Sequence, residues 1–192
     1  MEMGWKSNRA ALPLLALVAL LPLSGCVSMG KYNNMLAQQQ ALEAALRSEI
    51  GADQVEIQQL ENGIRVRMSS GLLYREGSIE LTPAGRAALD KVAPQLAQSA
   101  AQNFQVDIVG NTDNVPIGAE LASRYPTNWE LAGARAAVVT RYLQEKGVDP
   151  SKLEAVSNGE YHPVASNQSA DGRAKNRRTD VLLRPGPNAQ GQ

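Results

Sequence analysis

Apolar and polar residues alternate along VEIQQL (Val55 to Leu60) and again along IRVRM (Ile64 to Met68), and Glu61-Asn62-Gly63 lies between them. Period-two runs flanking a short turn predict a β-hairpin. SSGLLYREGSIEL then reads as continued strand and loop. A second alternating run, Phe104 to Val109, places Phe104, Val106 and Ile108 on one face, and LEAVSN and TDVLLR supply two further short strands. Between the strands the period lengthens to that of a helix. Thr82-Pro83 has the chemistry of an N-cap and first turn, and Leu89, Val92 and Leu96 mark one face of the helix that follows. Pro94 lies inside it and should bend it. Thr127-Asn128-Trp129-Glu130 is a capping box. The helix it opens should run to about Lys146, with Leu131, Ala134, Val138 and Tyr142 as its apolar stripe and Gly147-Val148 as a Schellman stop. DGRAKNRR reads as a helical turn before the last strand.

Elements that alternate in this way predict an α+β domain, a small mixed sheet with two helices packed on one face. It occupies residues 51–184. The segment before Gly51 differs. From Ser28 to about Glu49 the apolar positions are Leu36, Leu42, Leu46 and Ile50 with Ala between them, among many Gln and Glu. That thin stripe predicts a helix of roughly 33 Å at about 1.5 Å per residue, outside the core. It serves as a stalk over residues 26–50, or pairs weakly with a second copy or a partner protein. The tail, residues 185–192, is rich in Pro, Gly, Gln and Asn and is expected to be disordered.

The amino terminus changes the picture more than the overall composition does. Lys6 and Arg9 precede an apolar run from Ala10 to Leu23, then Ser24-Gly25-Cys26. A basic stretch, a short apolar stretch and small residues describe a secretory signal over residues 1–25; the run is short of the roughly 20 residues of a spanning helix. Leu23-Ser24-Gly25-Cys26 resembles the lipobox of bacterial lipoproteins, which implies cleavage before Cys26 and its acylation. Several acyl chains anchor a protein stably where one does not. The alternative is an ordinary signal with a chance cysteine. Val27, not Asp, follows the cysteine, which resembles sorting to the outer membrane. Cys26 is the only cysteine, so it has no disulfide partner within the chain.

Lys plus Arg and Asp plus Glu both number 19, so the net charge is zero. Loss of the leader, with Lys6, Arg9 and Glu2, moves it only to about −1. That balance, with few aromatics, gives no reason to expect nucleic acid. No metal-ligand cluster, catalytic carboxylate pair or free Cys nucleophile stands out, which argues against an enzyme and against a cofactor. His162, the only histidine, precedes Pro163 and reads as structural.

GNTDN (Gly110 to Asn114), NWELAGARAAVVTRYLQEKGV, NGEYHPVASN and GRAKNRRTDV, in that order, resemble the OmpA-like carboxy-terminal domain that binds peptidoglycan, over roughly residues 55–184. The stretch VPIGAELASRYPTNWEL is most similar to the flagellar stator protein MotB, though a motor role needs a membrane helix with an ion-carrying carboxylate. The resemblance implies a βαβαβ core, no catalysis, and a ligand: the diaminopimelate of the stem peptide, whose free end is an ammonium beside a carboxylate. Asp113 matches the family's acid for the ammonium and Arg135 its base for the carboxylate. A guanidinium offers a carboxylate two parallel donors, which Lys cannot. Asn128 lies at a helix N-terminus, where unpaired N–H groups favour a carboxylate, and Thr112 and Leu131 flank it. Asp113 by itself would read as a turn residue, and Arg135 as a helix-face ion pair with Glu130 or Asp113. Arg177 and Arg178 are further ligand candidates; Arg178 is alternatively a brace for the pocket loop. Trp129 reads as a packing residue at the helix start, with sugar stacking as the alternative. Two departures stand out: Asn111 where the family has His, and LYREGS, with Tyr74 and Arg75, where it has Phe-Asp-x-Gly-Ser.

Overall fold

The computed structural model describes Met1 and residues 29–186. The signal segment, Cys26 and the tail from residue 187 lie outside them. Among the described residues no helix is long and apolar enough to cross a membrane.

In chain order the elements are α1 (Met29–Ala45), α2 (Arg47–Gly51), β1 (Val55–Leu60), β2 (Gly63–Ser69), α3 (Ser70–Leu73), α4 (Pro83–Ala101), β3 (Phe104–Asn111), α5 (Ala119–Ala122), α6 (Asn128–Glu145), β4 (Leu153–Gly159), α7 (Ala170–Asn176) and β5 (Arg178–Pro185). The five strands form one sheet in the order β1-β2-β5-β3-β4. Only β3 and β4 run parallel, joined through α6, so the sheet is mixed as expected. The β1–β2 hairpin pairs Leu60 with Gly63 across a two-residue turn.

Alternation gives the sheet two unlike faces. Ile64, Val66, Met68, Val106, Ile108, Val181 and Leu183 point to one side and are buried beneath helices. Arg65, Arg67, Asp107, Asp180 and Arg184 occupy the other register. Three helices, not two, close the apolar face. Leu89, Val92 and Leu96 of α4 enter the core as expected, beside Ala136, Val139 and Leu143 of α6. The third is α1, whose Leu42 is fully buried in the same cluster, as is Leu46 just past its last residue. The expectation of a stalk outside the core therefore fails for this half of the helix: two leucines one turn apart suffice when Ala neighbours permit close approach. Polar contacts hold the other half, with Asn34 and Gln38 donating to the Gln102 side chain at 3.1 and 3.3 Å.

Two local expectations also shift. SSGLLYREGSIEL is not strand: Ser69 caps α3, accepting from Leu72 N, and Tyr74 bridges to Leu81. The buried face of α6 is Leu131, Ala132, Ala136, Val139 and Leu143, whereas Ala134, Val138 and Tyr142 are only partly covered. Gly110 explains the rotation. A side chain there would collide with the Ala132 carbonyl, so α6 can lie directly on β3 only along its small residues. The stop signals hold: Val148 N donates to Leu143 O and Gly147 N to Gln144 O, the two bonds of a Schellman motif.

Candidate functional site

The site is built where β3 runs out. Asn111 ends the strand and Thr112 N donates to Gly159 O at 2.8 Å, so the next residue leaves the sheet at a fixed point. Asp113 Oδ1 accepts from Val115 N at 3.1 Å, an Asx turn that locks its carboxylate. The residue is only 6% exposed. Asn128, first residue of α6, holds the loop from the other side. Its Nδ2 donates to Asp113 O (3.3 Å), to Val115 O (3.2 Å) and to Glu160 Oε2 (2.5 Å). The capping box of Thr127 and Glu130 fixes that helix start, with Thr127 N donating to Glu130 Oε2 at 2.8 Å.

Arg177 reaches the remaining carboxylate oxygen, its Nη1 lying 2.5 Å from Asp113 Oδ2. Arg135 pairs with neither Glu130 nor Asp113. Its Nε and Nη2 donate to the Ser78 carbonyl at 3.3 and 3.1 Å, and its guanidinium lies 5.1 Å from the centre of the Tyr74 ring. Nη1 has no acceptor among the described residues. Burial lowers the Arg135 pKa; the Tyr74 hydroxyl opposes that, Arg177 adds to it and Asp113 opposes it. Asp113, Arg135 and Arg177 thus share one electrostatic neighbourhood. Tyr74 is the floor of this arrangement. Its hydroxyl donates to Arg135 O at 3.1 Å and lies 2.9 Å from Thr179 Oγ1, and burial pushes its pKa up to about 12. A cation over a buried aromatic face is held at modest cost.

The other expected residues divide. Thr112 is buried and its Oγ1 has no hydrogen-bond partner, and Leu131 is buried beneath the loop. Arg178 does not face the site. It is 4% exposed; Nε donates to Asp180 Oδ2, Nη1 to Asn176 O, and Nη2 to Asn111 Oδ1 and His162 O. Its donors are spent on the protein, so it braces the loops and is removed from the ligand candidates. Asn111, in the family's His position, accepts from Arg178 and from Asn158 Nδ2 (3.0 Å) and donates to Val109 O (3.1 Å). Arg75 pairs with Glu80 across an exposed turn at 3.3 Å. Tyr74 and Ser78 are the residues that sequence reasoning missed. Tyr74 could have been found in LYREGS, an aromatic just before a turn. Ser78 contributes a carbonyl, which no side-chain pattern reveals.

What the arrangement offers is an acid and a planar base at the rim of a sheet, each held by its own framework. The sequence matches the OmpA family over residues 73–177, more than half of the chain. It is 41% identical over 103 residues to outer membrane protein A of Bordetella avium, covering 54% of this chain and 48% of that protein. It is 30% identical over 143 residues to the Escherichia coli (strain K12) protein named probable lipoprotein YiaD, covering 74% of this chain and 61% of that one. The cell wall anchor of the T6SS from Pseudomonas aeruginosa has a similar structure, with a TM-score of 0.67 and 29% identity over 77% of this chain and 99% of that one. The chain spans about half the length of the curated relatives it matches. It belongs to the OmpA family.

Proposed function

We propose that this protein binds peptidoglycan non-covalently through the diaminopimelate of the stem peptide, and tethers the outer membrane to the cell wall as a lipoprotein acylated on Cys26. It is a binding protein and not an enzyme. The observation that carries the reading is the buried Asp113 carboxylate beside two guanidiniums, Arg135 and Arg177. A zwitterion needs both signs within a few ångströms. In the free protein Arg177 occupies the acid; when the ligand's ammonium takes Asp113, Arg177 is released to join Arg135 on the carboxylate. Asn128, Thr112 and Leu131 shape the loop and floor around them.

The placement of α1 supports a tether. Its first half lies against Gln102, just before β3 begins, whereas Asp113 follows the other end of β3. A lipid on Cys26 would then leave the domain at the end remote from the site, with the site directed toward the wall. The likeness to a wall anchor and to a lipoprotein favours the same assignment. A partner protein docking on the Leu36–Ile50 stripe is the weaker reading, because Leu42 and Leu46 are occupied by the domain's own core.

Co-sedimentation of residues 27–192 with sacculi of the diaminopimelate type tests the pocket. Asp113→Ala and Arg135→Ala should each weaken binding by about one to two orders of magnitude, since losing a charged hydrogen bond costs roughly 1.5–3 kcal/mol. Unchanged binding by folded variants would sink the assignment. Cys26→Ser should move the full chain from the membrane fraction to the soluble periplasm. Retention in the membrane would mean that the anchor lies elsewhere.

A further inference from the structure

Large apolar side chains left in solvent are informative when they cluster. Among the described residues, Met1 apart, they are Val115, Trp129, Tyr161 and Val164. Val115 belongs to the Asp113 loop, Trp129 to the first turn of α6, and Tyr161 and Val164 to the loop after β4. Val115, Trp129 and Tyr161 thus flank the end of the sheet that carries the acid and the two arginines, whereas Val164 lines its open face beside Arg67 and Arg178. Trp129 and Tyr161 are stacked, with ring centres 5.3 Å apart and planes 26° from parallel, yet they remain 45% and 62% exposed.

This pair is built, not left over. Gly159 adopts a positive φ of 54°, and a side chain there would press its Cβ to 3.2 Å from the indole ring. Glycine thus lets the backbone lie against Trp129. Ser157 Oγ donates to Trp129 O at 2.8 Å, and Thr127 Oγ1 accepts from Trp129 N at 3.2 Å. The backbone of Trp129 is thus fixed at both its N–H and its carbonyl, while its ring lies beside Gly159 and Tyr161 and stays open to water. Glu160, between the glycine and the tyrosine, shares Asn128 with Asp113, because the Asn128 amide donates to both residues. One asparagine thus connects the aromatic pair to the acid.

We infer that Trp129 and Tyr161 form a sugar-binding subsite that takes the amino-sugar ring from which the stem peptide hangs. The inference rests on the peptidoglycan reading and assigns a second part of the same ligand. A pyranose has an apolar C–H face and polar edges. It fits a flat aromatic surface bordered by a carboxylate and a phenol, here Glu160 and Tyr161, as ligand sites in general combine apolar walls with a few placed polar groups. The connection is short enough: each residue of an extended peptide spans at most roughly 3.5 Å, so a stem held at Asp113 keeps its sugar within a few residues' reach.

The test compares two ligands by calorimetry on residues 27–192: a diaminopimelate stem peptide, and the same peptide on its disaccharide. The disaccharide form should bind about two- to tenfold more tightly, as one aromatic stack contributes roughly 0.5–1.5 kcal/mol. Trp129→Ala and Tyr161→Ala should each abolish that gain and leave affinity for the bare peptide unchanged. Trp129 is the one tryptophan beyond the leader, so indole fluorescence should respond to the disaccharide form and not to the peptide. Equal affinity for both ligands, with silent fluorescence, overturns the subsite and leaves the pair to a protein partner. Failure of the bare peptide to bind, with the Trp129-dependent gain intact, would instead overturn the Asp113 pocket.

Discussion

Arg177 and Arg178 are adjacent in the chain and end in opposite surroundings. Arg178 lies on the open face of the sheet with Asp180, Asn111 and Arg67. Both side chains of its ion pair are nearly inaccessible, 5% and 8% exposed, and each of its nitrogens has an acceptor. Arg177 lies at the rim. Its acid is as buried as Asp180, at 9%, but Arg177 itself is 44% exposed and binds Asp113 through one nitrogen. Both regions contain an aspartate, arginines and an asparagine. They differ in completeness. Where charges are fully matched and dry, they hold loops in place; where an acid is dry and its cation is wet, the cation can be exchanged for another. The rim has the second arrangement, and Arg135, with a nitrogen left over, extends it.

Truncation of each arginine to alanine breaks the comparison most sharply. Arg178→Ala leaves Asp180 with Arg67 alone and Asn111 Oδ1 with Asn158 alone, a loss toward the lower end of the about 3–5 kcal/mol for a buried pair broken on one side. Arg177→Ala removes a half-exposed partner and should cost less than about 1 kcal/mol. Urea denaturation of the two variants beside the parent protein measures both. Similar losses would mean that Arg177 is as structural as its neighbour, and that Asp113 is not available to a ligand.

How much of this was legible in the sequence follows the same division. Features that depend on neighbouring residues were readable: the hairpin, the Thr82 cap, the capping box at Thr127, the Schellman stop at Gly147. Those signals state their own hydrogen bonds. Features that depend on what lies opposite were not. The α6 stripe was placed one position off because Ala132 and Ala136 look indifferent until Gly110 is known to face them. Leu42 and Leu46 looked too sparse to be core because the surface they fill belongs to α4 and the sheet. At the site, Asp113 and Arg135 were recognisable only through a resemblance of motifs; alone, each had a plainer reading. Tyr74 and Ser78 could not be assigned to Arg135 from spacing, since they lie some sixty residues away in sequence and act through a ring face and a carbonyl. The division between Arg177 and Arg178 was half legible: both read as ligand candidates with Arg178 alternatively a brace, and the choice rests on strand β5, which begins at Arg178 and takes its side chain onto the sheet.

A third pair sharpens the comparison with a smaller effect. Asp107, on β3, accepts from Arg184 through Oδ2, while its Oδ1 is buried with no partner. Arg184 is 52% exposed, so the pair is dry on the acid side only, like Asp113–Arg177, but far from the site. Burial raises the Asp107 pKa; Arg184 works against this and Glu154 with it. A carboxyl that holds its proton more readily when folded than when unfolded favours the folded state at low pH. That contribution is lost as pH rises from the unfolded value, about 3.9, through the folded one. Asp107→Asn mimics the protonated form, so it should match or exceed the parent's stability at pH 7, by less than about 1 kcal/mol given the exposed arginine. The difference should shrink as pH falls toward 4, where the parent's acid, its pKa raised by burial, increasingly takes up its proton. Denaturation curves at the two pH values decide it. A variant weaker than the parent at pH 7 and equal to it at pH 4 would show that Arg184 outweighs burial. Half-exposed arginines would then bind their acids more firmly than the rim arrangement requires, and Arg177 would have to be counted as a lock on Asp113 instead of a replaceable guest.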